Sequence, residues 1–175
     1  MDKDNVSTKS KVFKFIKEII PFILILDFVI IVKLFVVTPI QVNGGSMDST
    51  LKDGDIMILN KIGYKINGIH RFDIVVIDAG DSLLIKRVIG LPNETLKMED
   101  NQLYIDGEKV EEDFLDPGTV TQNFTAKVKE DCYFVMGDNR KVSHDSRAMG
   151  CFSIDDILGT TKLTLFPFNR LGNKN

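Results

Sequence analysis

The chain has 175 residues and a formal net charge of −3. This length leaves room for one compact domain of ordinary size and excludes two catalytic domains. Residues 39–175 carry 16 Lys and Arg against 21 Asp and Glu, a net of −5, and they contain no long basic run. The charge pattern therefore excludes nucleic acid as a partner.

The N-terminal segment predicts a membrane anchor. Residues 1–17 carry five lysines against two aspartates, and residues 19–37 are apolar apart from Pro21, Asp27 and Lys33. At about 1.5 Å per residue, a helix over 19–37 would just span the ~30 Å hydrocarbon core of a bilayer. Lysines that flank a membrane span tend to lie on its cytoplasmic side. We therefore expect a cytoplasmic segment over 1–18, a transmembrane helix over 19–37 and an extracytoplasmic domain over 38–175.

A cleaved secretory signal is the alternative for this segment, since it too begins with basic residues and continues with an apolar run. Here the apolar run is longer than a usual signal core, and residues 38–42 offer no pair of small residues for cleavage. The pattern favours a retained anchor in the lipid bilayer.

Beyond the anchor, the chain contains short runs rich in β-forming residues, separated by turn signals such as Asp53-Gly54 and Asp106-Gly107. The runs are 56–59, 74–77, 83–85 with 88–89, 103–105, 133–136 and 163–165. They predict a mostly β domain, built as a sandwich or a partly open barrel, with brief helical turns near 143–149 and 154–158.

The cysteines and histidines do not indicate a metal or cofactor site. Cys132 and Cys151 lie outside any metal-binding spacing and read as two small buried hydrophobic residues, with a disulfide as the alternative. His70 and His144 each stand alone, without the paired spacing of a zinc site. We expect no cofactor.

Ser46 is the candidate nucleophile, since it follows two glycines soon after the apolar run. Glycines let a substrate backbone come close and leave main-chain N–H groups free to face an oxyanion. The alternative is a flexible surface turn, for which Gly and Ser are the commonest residues.

A serine needs a base, and neither histidine lies in a recognisable base arrangement, so a lysine is considered. Lys86 lies within an apolar strand, where desolvation would lower the pKa of its amine. The alternative is that Lys86 and Arg87 form an exposed strand edge whose charges block pairing. The later stretch 137–150, dense in small polar and charged groups, is either a solvated loop or a site that positions the amine.

Several separate pieces of the chain resemble the conserved boxes of bacterial type I signal peptidases, the membrane-anchored Ser/Lys peptidases that remove signal peptides from exported preproteins. These pieces are 45–51, 53–56, 71–76, 86–92 and 137–150. They occur in the family's order after an N-terminal anchor, and the absence of a second span or large insertion resembles the compact form of Gram-positive bacteria. The resemblance implies a single-pass protein of the bacterial plasma membrane.

The resemblance also implies roles for individual residues. Ser46 would be the nucleophile and Lys86 the general base. Ser143 would hydrogen-bond the lysine amine, while Asp145 and Arg147 would hold that region in shape. The Ser46 backbone N–H would be the main hydrogen-bond donor to the oxyanion.

Substrates of the family bind as an added β-strand, which here would lie beside Val42 and the segment Leu84 to Ile85. The implied partners are preprotein signal peptides with small residues at positions −1 and −3.

Two residues depart from the family pattern. Ser49 stands where the family usually has a proline. Loss of the proline would give the chain more conformational entropy, equivalent to ~0.4 to 1 kcal/mol, and would loosen the loop. Asp48 places a carboxylate near the catalytic serine, and we expect it to point to solvent. A protein that captures signal peptides without cutting them is the alternative from another class, and the intact set of site residues favours the enzyme.

Overall fold

The computed structural model describes residues 3–173, and it divides the chain into two compact units that meet between Val37 and Thr38. In the first unit, helix α1 spans Lys3–Ile31 and continues into a π-helical turn over Val32–Val36. The stretch Phe13–Val36 is long and apolar enough to cross a membrane, and none of it is buried within the protein. The predicted N-terminal apolar helix is confirmed, although helical structure begins at Lys3 because the polar segment contains no Gly or Pro and several good helix formers.

The regular secondary structure described in the second unit is mostly β-strand, as predicted. The strands are β1 Val37–Gln41, β2 Ile56–Asn60, β3 Ile74–Asp78, β4 Leu83–Gly90, β5 Thr95–Glu99, β6 Gln102–Ile105, β7 Glu108–Val110, β8 Phe124–Lys127, β9 Cys132–Met136, β10 Phe152–Ser153, β11 Ile157–Phe166 and β12 Gly172–Asn173. Two short α-helices, α2 over Gly63–Asn67 and α3 over Ser146–Met149, and two 3-10 turns, over Ile154–Asp156 and Phe168–Arg170, join them.

The strands form two antiparallel sheets. The larger has the order β1-β2-β11-β3-β4-β9-β10, with β12 added beside β11, and the smaller has the order β7-β6-β5-β8. Both sheets end in open edges within the described chain, so the partly open alternative describes them better than a closed barrel.

Near the centre of the larger sheet, strand β4 has a stretch that is paired with a neighbouring strand on one side only. It pairs with β3 from Leu83 to Arg87, whereas its pairing with β9 begins only at Arg87. The side of residues 83–86 that faces away from β3 therefore has free backbone donors and acceptors, which an extended peptide could use.

Three apolar clusters fill the domain. The cluster that bears on the site consists of Val42, Met47, Leu51, Met57 and Ile74, with Ile40 and Ile85 packed against it. Met47 and Leu51 belong to the segment around Ser46, so this segment is anchored by buried side chains. These anchors count against the flexible-turn alternative for Ser46.

Cys132 and Cys151 form a disulfide, with their Cα atoms 5.5 Å apart. The interpretation of these cysteines as two separate buried hydrophobic residues is therefore wrong. Strand β10 causes the pairing, because Phe152 and Ser153 lie opposite Tyr133 and Cys132 and so bring the neighbouring Cys151 beside β9. The disulfide closes a loop that contains the whole polar stretch 137–150.

Candidate active site

Strand β4 places Lys86 beside Ser46. Lys86 Nζ lies 2.6 Å from Ser46 Oγ, within hydrogen-bond distance, and only 3% of the Lys86 surface is exposed. Burial lowers the pKa of Lys86 below its ordinary value of 10.5, and the opposing effect of the nearby Asp145 carboxylate does not offset it. The alternative of an exposed charged edge is wrong, because both Lys86 and Arg87 are buried within the sheet.

Arg87 points to the opposite face of β4 from Lys86 and forms a buried ion pair with Asp138. Its Nε and Nη2 donate to Asp138 Oδ1 and Oδ2 at 3.0 and 2.7 Å, and neither side chain is exposed. The Thr50 hydroxyl donates to the same carboxylate at 2.6 Å, and the Phe114 ring stacks on the guanidinium, 4.1 Å away. This cluster joins the lysine strand, the serine segment and the loop after β9.

The loop after β9 also holds the serine segment through its backbone. Asn139 N–H donates to the Ser46 carbonyl and Asn139 Nδ2 donates to the Gly45 carbonyl, each at 3.0 Å. A Cβ on Gly137 would collide with the Ser46 carbonyl and with Ser143 Oγ. The close approach of the two segments therefore requires glycine at position 137.

Asp145 organises the far side of the loop. Its carboxylate caps α3, accepts a hydrogen bond from Gly137 N–H at 3.0 Å, and pairs with Nε and Nη2 of Arg147, both at 2.8 Å. Burial alone would raise the pKa of Asp145, but the hydrogen bonds from Arg147 and Gly137 hold it below its ordinary value. Asp145 and Arg147 therefore form a charged pair within the loop after β9.

Ser143 lies in the loop after β9, and its side chain does not make the hydrogen bond to Lys86 that the resemblance implied. Its Oγ is buried, and its hydroxyl instead helps to lower the pKa of Asp145. Its backbone N–H donates to the Asn139 carbonyl at 3.1 Å, which ties it to the segment that holds Ser46.

A cleft of about 300 Å³ opens at Ser46. Its lining residues are Ile40, Gln41, Val42, Asn43, Ser46, Met47, Val76, Leu83 and Ile85. Two of the three predicted substrate-binding residues, Val42 and Ile85, line it. Leu84 does not, because side chains alternate along a strand and that of Leu84 packs on the other face of the sheet. The backbone of Leu84 also faces β3, where it lies opposite Ile77, and not the open edge.

The structure agrees with the expectation for Asp48 and contradicts the expectation for Ser49, the two residues that depart from the family pattern. Asp48 is exposed and its carboxylate accepts a hydrogen bond from Ser49 N–H, so the expectation that it points to solvent is confirmed. Ser49 has φ +83°, whereas a proline ring fixes φ near −65°. The expectation that Ser49 merely loosens a proline-compatible loop is therefore wrong, because this backbone conformation excludes proline.

Two residues of the site region, Arg170 and Glu112, were not singled out from the sequence. Arg170 Nη2 donates to the Thr50 carbonyl at 3.0 Å and lies 3.1 Å from the buried Asp55 carboxylate. Glu112 pairs with Arg140, whose Nε donates to the Gly137 carbonyl at 3.2 Å. Arg170 and Asp55 lie 115 residues apart, and Glu112 and Arg140 28 residues apart. Separations of this size leave no local pattern to detect.

Comparisons with known proteins show which family this chain resembles. The family model described as "Signal peptidase, peptidase S26" matches residues 12–166. The chain is 38% identical over 181 residues to signal peptidase I of Bacillus amyloliquefaciens, covering 97% of this chain and 96% of the relative. It is 35% identical over 187 residues to signal peptidase I S of Bacillus subtilis (strain 168), covering all of both chains. A crystal structure of a signal peptidase I from Enterococcus faecalis V583 has 34% identity, covers 53% of this chain and 95% of its own, and gives a TM-score of 0.48.

Proposed function

Because the chain belongs to the signal peptidase family, peptidase S26, we propose that Ser46 and Lys86 are the catalytic dyad with which it removes signal peptides from exported preproteins. A Ser/Lys dyad is the general mechanism of this family. The observation that carries the assignment to these two residues is the 2.6 Å separation of Lys86 Nζ and Ser46 Oγ, with the amine buried.

The chemistry follows from this contact. Neutral Lys86 accepts the hydroxyl proton as Ser46 Oγ attacks the carbonyl carbon of the scissile peptide. The Ser46 backbone N–H has no partner within the described chain, so it is available to the oxyanion of the tetrahedral intermediate. The Lys86 ammonium then gives its proton to the leaving amine, and an ester between Ser46 and the signal peptide remains. Lys86 next accepts a proton from a water molecule that attacks the ester. Lys86 then returns this proton to the departing Ser46 Oγ, which releases the signal peptide and restores both the serine hydroxyl and the neutral amine.

The substrate lies as an extended strand along the free edge of residues 83–86. Main-chain hydrogen bonds to this edge supply affinity, and alternate side chains of the peptide enter the cleft beside Val42 and Ile85. Because the apolar walls of this cleft come close to Ser46, only small side chains fit at positions −1 and −3.

The apolar helix Phe13–Val36 anchors the protein in the bacterial plasma membrane. The lysines before it place the N-terminus in the cytoplasm and residues 38–175 outside. Residues 38–175 then meet preproteins whose own apolar signal segments are in the same bilayer.

Cleavage of a preprotein with small −1 and −3 residues by the detergent-solubilised full chain tests this proposal. The wild type is expected to cut after the −1 residue, as read by mass spectrometry of the products, and Ser46→Ala and Lys86→Met are expected to be silent. Lys162→Met, which removes an exposed lysine that pairs with Asp73, is the control and is expected to cut normally. A wild type that binds the signal peptide without cutting it would favour the capture protein instead.

A further inference from the structure

Thr50 connects the serine segment to two different parts of the domain. Its hydroxyl donates to Asp138, and its carbonyl accepts a hydrogen bond from Arg170 Nη2 at 3.0 Å. Thr50 ends the turn that begins at Ser46, so its position fixes one end of this turn. Contact with Asp138 is part of the site already described, whereas contact with Arg170 comes from the C-terminal end of the domain.

The same Arg170 nitrogen holds the other end of the serine segment. It lies 3.1 Å from the carboxylate of Asp55, which is only 2% exposed and which also accepts a hydrogen bond from Lys52 N–H at 2.9 Å. The backbone of Asp55 is joined in turn to Val42, whose N–H donates to the Asp55 carbonyl at 2.8 Å. One guanidinium therefore bridges Thr50 and Asp55 within the segment that connects β1 to β2.

Arg170 is itself held in place by the fold. It ends the 3-10 turn Phe168–Arg170, and two residues later β12 pairs back onto β11, with Gly172 opposite Thr164 and Asn173 opposite Leu163. Its side chain is 19% exposed, and its Nε is buried without a partner within the described chain. The Nη2 contacts with Thr50 and Asp55 are therefore the polar contacts recorded for this guanidinium among the described residues.

We propose that Arg170 is a positioning residue that holds the Ser46 turn in its reactive geometry through Thr50 and Asp55. This inference rests on the proposed role of Ser46 as nucleophile. Without the Nη2 contacts, the turn keeps its buried Met47 and Leu51 anchors but loses the restraint on its Thr50 end. Ser46 Oγ then spends less time within reach of Lys86 Nζ and of the bound carbonyl.

The test compares Arg170→Met, which keeps the apolar stem and removes the guanidinium, with Arg170→Lys and Lys162→Met in the full chain. Arg170→Met is expected to lower kcat by about tenfold or more, because a displacement of ~1 Å costs up to ~100-fold, while KM changes less than about twofold. Arg170→Lys should recover most of kcat, since a single nitrogen makes both contacts. Lys162→Met removes a cation that pairs with another buried aspartate, Asp73, and should leave both constants near the wild type.

Hydrogen exchange separates this inference from the proposed function. The Leu51 N–H donates to the Met47 carbonyl at 2.8 Å and reports on the turn directly. Its exchange is expected to be faster in Arg170→Met than in the wild type and unchanged in Lys162→Met, whether or not the wild type cuts preproteins. If Arg170→Met does not fold, Arg170→Gln takes its place with the same expectations. Normal kcat per folded molecule with unchanged Leu51 exchange would overturn the inference, whereas a wild type without Ser46-dependent cleavage would overturn the proposed function.

Discussion

Arg87 and Asp138 form a two-nitrogen ion pair in which neither side chain has any exposed surface. Arg87 directly follows Lys86 in β4, and Asp138 directly precedes Asn139, which holds the carbonyls of Gly45 and Ser46. The pair therefore fixes the strand of the base relative to the segment of the nucleophile. Its role is geometric, since buried ion pairs add little net stability.

Removing one partner of the Arg87–Asp138 pair should lower the free energy of unfolding far more than removing both partners. Arg87→Met leaves the Asp138 carboxylate buried without its cation and is expected to cost about 3 to 5 kcal/mol of unfolding free energy. The double variant Arg87→Met with Asp138→Leu should recover much of this loss, yet it should not recover peptidase activity. Thermal unfolding and cleavage assays on the same preparations check both statements. Equal destabilisation by the single and double variants would contradict them.

Ser49→Pro restores the residue that is usual in the family, and it is expected to lower stability and activity here. The backbone at Ser49 has φ +83°, which a proline ring cannot adopt, and the Ser49 N–H that donates to Asp48 would be lost. Ser49→Gly serves as the control, because glycine accepts positive φ without strain, and it should retain both properties. A proline variant with a melting temperature above that of the wild type would show that this turn has the proline-compatible conformation.

Reduction of the Cys132–Cys151 disulfide should destabilise the domain. The bond joins residues 19 apart, for which chain-entropy arguments give about 3 kcal/mol of unfolding free energy. The closed loop carries Asp138, Asn139 and Asp145, so activity should fall at temperatures where the oxidised protein is fully active. Unfolding curves with and without reductant measure the effect, and Cys132→Ala with Cys151→Ala, which should be insensitive to reductant, is the control. Identical curves for the oxidised and reduced protein would contradict the expectation.

Asp145 and Arg147 should shift the pH dependence of activity in opposite directions. The Asp145 carboxylate raises the pKa of Lys86, and the Arg147 guanidinium lowers it. Activity requires the neutral amine, so it rises as pH passes upward through the pKa of Lys86. Asp145→Asn should therefore move this rise to lower pH, and Arg147→Met should move it to higher pH. Shifts of both variants in the same direction would exclude a direct charge effect on Lys86.

The sequence predicts much of this fold because most strands carry local signals. The run 74–77 is wholly buried, and the turn at Asp106-Gly107 joins β6 to β7 as expected. Strand β11 was predicted only over 163–165, because its first half contains the buried residues Gly159, Thr160 and Thr161, which give no apolar pattern. Two-residue strands such as β10 and β12 exist only through pairing with β9 and β11, so no local sequence predicts them.

The residues of the candidate site likewise fall into those that local motifs predict and those whose contacts arise only from the tertiary structure. Ser46, Lys86, Asp145 and Arg147 lie in motifs that resemble the family's boxes, and the structure brings them together. The contacts of Arg170 depend on the chain reversal after β11, and the positive φ at Ser49 lies in a turn between the buried residues Met47 and Leu51. Such features arise from tertiary structure and leave no signal in a short stretch of sequence.

The most direct test of the account is the pH dependence of kcat/KM for preprotein cleavage by the wild type, beside Lys86→Met and Asp48→Asn. Burial lowers the pKa of Lys86 below its ordinary value of 10.5, so the rise in kcat/KM with pH should occur below pH 10.5. Lys86→Met should be inactive at every pH, and Asp48→Asn, which changes an exposed carboxylate, should leave the profile unchanged. A rise near pH 10.5, or activity that persists in Lys86→Met, would contradict the assignment of a buried neutral lysine as the base that activates Ser46.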